Sequence, residues 1–84
     1  DGIERITRDE LKTYTIDKDV FVEFSDEGSY DIMLCDLKGM TIAHGTKQVL
    51  AGDKVHVRVS SAGTYILKVV KDGKVVRSAK LLCK

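Results

Sequence analysis

Apolar residues recur at every second position along most of this chain, the period of an extended strand rather than of a helix. Tyr14 and Ile16 alternate with Thr13, Thr15 and Asp17. Val20, Val22 and Phe24 flank Glu23, with Phe21 as an exception on the outer side. Tyr30, Ile32 and Leu34 alternate with Asp31 and Met33, and Met40 and Ile42 follow a turn. Val55, Val57 and Val59 alternate with Lys54, His56, Arg58 and Ser60. Tyr65, Leu67 and Val69, then Ala79, Leu81 and Cys83, complete the series. Turn signals separate these runs at Asp17-Lys18-Asp19, Asp26-Glu27-Gly28, Asp36-Leu37-Lys38-Gly39, Ala51-Gly52-Asp53, Ser61-Ala62-Gly63 and Asp72-Gly73. The spacing predicts about seven short strands in an all-β, Ig-like antiparallel β-sandwich. Asp72-Gly73 fits a two-residue type I′ turn, and Gly39 can close a longer hairpin by the same freedom of φ. Residues 1–12 are the least patterned and read as a lead-in from an upstream domain. Within them, Thr7-Arg8-Asp9-Glu10 resembles a capping box and allows a short helical turn.

A chain of 84 residues has room for one domain, residues 1–84, and 43% hydrophobic content supplies a core. No apolar run approaches the ~18 residues of a membrane span. The net charge of +1 conceals an asymmetry. Residues 1–36 hold 11 acids and 4 bases, whereas residues 37–84 hold 2 acids and 10 bases. Opposite-sign halves attract where their strands lie side by side; the same count also allows a basic face for an acidic partner. Five aromatics not interleaved with the bases argue against nucleic acid. By alternation Cys35 falls on an outer face and Cys83 on an inner one, which argues against a bridge between them.

Candidate chemistry is sparse. His44 ends a strand beside Gly45 and His56 faces outward, neither with a second histidine or a carboxylate at ligand spacing. The acids are scattered among turns, where turn chemistry accounts for them. The serines lack a nucleophile-elbow context, and Asp17-Lys18-Asp19 lacks the remaining ligands of a calcium loop. The expectation is a non-enzymatic domain with no catalytic residue, metal or cofactor.

Three segments carry a resemblance. Tyr30-Asp31-Ile32-Met33-Leu34-Cys35-Asp36-Leu37-Lys38-Gly39-Met40-Thr41-Ile42 looks like a strand–turn–strand element built on an aspartate and a turn glycine. Ala62-Gly63-Thr64-Tyr65-Ile66-Leu67-Lys68-Val69 looks like a Gly-x-Tyr strand, and residues 72–84 look like a closing strand that ends in lysine. In this order and spacing they resemble the C-terminal sorting domains of the type IX secretion system. Cys35 stands where that family usually has tyrosine, Ser61 stands where proline often precedes the Ala-Gly pair, and residues 12–24 lack the family's Asn-Pro pair.

The resemblance implies a C-terminal domain of a larger exported protein of the Bacteroidota, reaching the cell surface through the periplasm. Its implied partners are the outer-membrane secretion translocon, a surface sortase and the upstream cargo domain of the same polypeptide. The residues it nominates for sorting are Asp36, Gly39, Gly63, Tyr65, Asp72, Gly73, Lys80 and Lys84. Residues 63–84 carry six bases against the single acid Asp72, which also suits solvation of an edge strand. The alternative is a structural or carbohydrate-binding accessory module of a secreted enzyme. For a glycan the pattern offers little, since Tyr14, Tyr30, Tyr65 and Phe24 are all expected to point inward, leaving Phe21 alone outside. Cys35 and the terminal strand leave a dimer open.

Overall fold

The computed structural model describes residues 11–84. These form seven strands: β1 (Leu11–Ile16), β2 (Asp19–Phe24), β3 (Gly28–Asp36), β4 (Thr41–Val49), β5 (Lys54–Arg58), β6 (Gly63–Lys71) and β7 (Lys74–Cys83). They build a three-stranded sheet in the order β1-β2-β5 and a four-stranded sheet in the order β4-β3-β6-β7, with every pairing antiparallel. The result is the expected Ig-like β-sandwich. The capping box at residues 7–10 lies outside the described residues, whereas Leu11 and Lys12, read as lead-in, open β1. Among the described residues no helix is long and apolar enough to cross a membrane.

Two packed sheets leave a layer that alternate side chains from both must fill. Val20, Val22 and Phe24 from the smaller sheet meet Tyr30, Ile32, Leu34, Leu67 and Val69 from the larger. The Phe24 and Tyr30 rings, 4.5 Å apart and tilted by 40°, couple the two sheets where the chain crosses between them. Cys83 closes this layer. Burial first, and the Asp19 carboxylate second, push its thiol pKa up. Both cysteines are free, Cys35 half-buried on the outer face as alternation requires. The Asp72-Gly73 turn has positive φ at both residues, +54° and +77°, as a type I′ turn demands.

Two strands depart from their reading. In β1 the expected faces are exchanged: Leu11, Thr13 and Thr15 face inward, and Tyr14 and Ile16 face outward, Ile16 being 57% exposed. The cause is the neighbour across the gap. The Thr15 hydroxyl donates to the Leu82 carbonyl at 2.8 Å, and Arg77 donates to the Thr13 hydroxyl at 3.4 Å. Beyond the buried Leu11 the inner side of β1 is therefore satisfied by hydroxyls, and Tyr14 and Ile16 turn out. In β4, Met40 and Ile42 do not start a buried face; they are 64% and 42% exposed. The strand instead runs on to Val49, with Ala43, Gly45 and Lys47 opposite the inward-facing Leu34, Ile32 and Tyr30.

The burial pattern sets a contrast between two leucines. Leu67→Ala, in the centre of the core, is expected to lose ~2–5 kcal/mol of stability. Leu82→Ala, on the outer face, should change it by less than about 0.5 kcal/mol. Urea denaturation of both variants measures the difference.

Candidate functional site

The three segments singled out by resemblance become three neighbours in one sheet. Strand β3 lies against β6, and β6 against β7, so Asp36, Tyr65 and Leu81 stand in one row and Cys35, Ile66 and Lys80 in the next. Six of the eight nominated residues thus gather at one end of the sandwich: Asp36, Gly39, Gly63, Tyr65, Lys80 and Lys84. Asp72 and Gly73 do not join them. Their turn caps the far end of β6, roughly 25 Å away at the rise of an extended strand.

Local chemistry shapes this end. Asp36 closes the β3–β4 hairpin. Its carboxylate accepts the backbone N–H groups of Lys38 and Met40, each at 2.9 Å, and its own N–H donates to the Met40 carbonyl at 3.0 Å. Gly39 supplies the positive φ, +89°, that the reversal needs. Gly63 has a φ of +152°, and nothing lies within 4 Å of the place where a Cβ would stand, so backbone conformation rather than space selects glycine there. Tyr65 is buried, and its hydroxyl donates to the Ser61 carbonyl at 2.6 Å. A tyrosine near the start of a strand, bonded back to its own lead-in loop, fixes a corner of Ig-like sandwiches. The Lys84 N–H donates to the Asp17 carbonyl at 2.9 Å, which ties the strand end to the β1–β2 turn while the side chain stays exposed.

A shallow groove of about 290 Å³ runs beside the hairpin on the outer face, lined by Cys35, Asp36, Leu37, Gly39, Ile66 and Lys68. Lys80 stands opposite Ile66 at its side. Leu37, Met40, Ile16 and Leu82 are exposed at the same end. This end is thus both apolar and lysine-bearing, the composition of a surface suited to protein recognition.

A second surface lies on the outer face of the three-stranded sheet and was missed in the sequence. Tyr14, Phe21 and His56 stand in one cross-strand row, with ring centroids 5.2 and 5.0 Å apart and nearly parallel planes. On one side of the row Tyr14 donates to Glu23 at 2.6 Å, and Lys54 lies 3.7 Å from the same carboxylate. On the other side Asp19 meets His56 at 2.7 Å and Arg58 at 3.1 Å. The Tyr14 hydrogen bond, then the Lys54 charge, holds the Glu23 pKa down; the bond from His56, then Arg58, does the same for Asp19. Both carboxylates therefore favour the folded state above the ordinary carboxylate range, an advantage lost as pH falls through their lowered pKa values. His56 thus does meet a carboxylate, 37 residues away, a pairing that linear spacing could not reveal. Here acids of the first half and bases of the second attract across strands, as the charge asymmetry allows. Among the described residues no cluster of three or more His, Cys, Asp or Glu side chains could hold a metal ion. Comparison with family models finds no match for this chain, and comparison with curated proteins finds none.

Gly63→Ala is expected to cost ~1–3 kcal/mol through backbone strain alone. Tyr65→Phe should cost about 0.5–1.5 kcal/mol through the lost hydroxyl bond. Urea melts of the two folded variants test both values.

Proposed function

We propose that this domain is a sorting handle, a C-terminal domain that directs an upstream cargo through the periplasm and across the outer membrane to the cell surface. Its readers are an outer-membrane translocon and a surface sortase of the type IX kind. The observation that supports this reading is the gathering of the three resembling segments into adjacent strands, with Asp36, Gly39, Gly63, Tyr65, Lys80 and Lys84 at one end. A handle must stay folded during transit and offer a readable tip. The Tyr65 corner and the tied Lys84 backbone serve the first need; the side chains of Lys80 and Lys84 beside exposed Leu82 serve the second. Deleting residues 80–84 would also strip Leu81 and Cys83 from the core, so charge reversal is the cleaner probe. A periplasmic reporter fused to residues 1–84 is expected to reach the surface of a type IX-competent cell. A Lys80→Glu/Lys84→Glu fusion, equally folded, should stay inside. Retention of the folded parent fusion in the periplasm overturns the reading.

A second reading, a glycan-binding module of a secreted enzyme, draws on the Tyr14–Phe21–His56 row, which gives Phe21 the company that the sequence denied it. Its rings lie face to face, so part of each aromatic surface is already occupied by its neighbour. This reading expects binding on a glycan array that is lost in Phe21→Ala, with secretion of the reporter unaffected.

A further inference from the structure

The outer face of the four-stranded sheet divides its charge unevenly. Ile66 stands in the middle of one row, with Cys35 across one strand gap and Lys80 across the other. In the next row Met33, Lys68 and Ser78 stand side by side. Lys68 and Lys80 are therefore diagonal neighbours on one face, both exposed, with Ser78 beside them. Among the described residues neither lysine has a carboxylate within ion-pair distance.

Two carboxylates share this region, and both are engaged. Asp36 lines the groove beside Cys35, where it accepts the Lys38 and Met40 N–H groups. Asp31, one row beyond Lys68, accepts the Thr46 hydroxyl on the side of β3 away from β6. Two like charges held close on one face repel each other, and an anion placed between them removes that repulsion.

Beside the lysines the surface is apolar. Ile66 and Cys35 are half-buried in the groove of about 290 Å³ at the β3–β4 hairpin, and Leu37 is exposed in its wall. Leu82, two residues beyond Lys80 on the same face, is exposed as well. Small-molecule pockets bury most of their ligand, which an open groove of this size does not do. It can take one apolar side chain of a partner whose surrounding surface excludes water from the rim. The unpaired lysines set what stands next to that side chain.

We propose that the Ile66 groove is a docking site for a partner protein that presents a large apolar side chain flanked by a carboxylate. The apolar group lies over Cys35, Ile66 and Leu37. The carboxylate bridges Lys68 and Lys80, with the Ser78 hydroxyl as a further donor. A second copy of this chain docked by the same face would set lysines against lysines. The proposal goes beyond the sorting reading. It does not require the partner to belong to a secretion machine, and Cys35, Ile66 and Lys68 are not among the residues nominated for sorting.

The test is selection of displayed random ten-residue peptides on the intact chain, followed by titration of the selected peptides into ¹⁵N-labelled protein. The expected peptides carry a large apolar residue beside Asp or Glu and shift the amides of residues 35–39, 64–68 and 78–82. Their binding weakens as salt is added. Lys68→Glu, at an exposed position, is expected to weaken them by about tenfold or more, whereas Lys68→Arg retains them. The proposal is overturned if no such peptides are enriched, if they shift other amides, or if Lys68→Glu binds undiminished. Shifts of these amides with phosphatidylglycerol vesicles but with no peptide would replace it with an anionic lipid surface. Movement of the same amides with protein concentration alone would replace it with an interface between copies. Secretion of the reporter bears on the sorting reading alone.

Discussion

Everything in this domain depends on filling the layer between its two sheets. A chain of this size has one such layer, and without it the sheets have no reason to stay together. Tyr30, Ile32 and Leu34 on β3 and Leu67 and Val69 on β6 form one wall, and Val20, Val22 and Phe24 form the other. The pairing of β3 with β6 keeps that wall in register from Asp31↔Val70 to Asp36↔Tyr65. The two ends of the sandwich inherit their positions from this register. The row that puts Asp36 beside Tyr65 also carries the hairpin, the corner and the end of β7 to one place.

Sequence pattern was legible where a strand separates a buried apolar face from a wet polar one, as in β2, β3, β5, β6 and β7. It misled in β1, because the side facing β7 is satisfied by Thr13 and Thr15 hydroxyls. Hydrophobicity alone therefore assigns Tyr14 and Ile16 to the wrong face. It was nearly silent in most of β4, because Ala43, Gly45 and Lys47 stand where larger apolar groups would have produced a signal. The turns were legible from Asp-Gly and Asp-x-x-Gly, whose backbone demands are local. The gathering of distant residues was not. The Tyr14–Phe21–His56 row and the Asp19–His56 pair exist only once two strand registers are set, and no spacing along the chain encodes them.

The departures share a location. Among the described residues both misread strands are sheet edges: β1 is joined to β7 by polar bonds, and β4 pairs with β3 alone. Edges are where a β-domain must choose between sealing itself and offering pairing to others. Its polar seam uses threonine hydroxyls, the Arg77 guanidinium and terminal backbone groups. On the β4 side the inward positions are Ala43, Gly45 and Lys47, which add little to the apolar layer.

The stitched side also has a direction. Thr13 meets Arg77, Thr15 meets Leu82 and Asp17 meets Lys84, so β1 and β7 run parallel and Leu11 and Lys84 lie at opposite ends of the sandwich. A pull applied between those two residues acts along the strands and loads the seam bonds together in shear. It does not peel them apart one at a time. Resistance to such a force is set by the rate of unfolding rather than by equilibrium stability. The threonine-faced strand that confuses a hydrophobicity pattern thus carries two of the three bonds that such a pull would load.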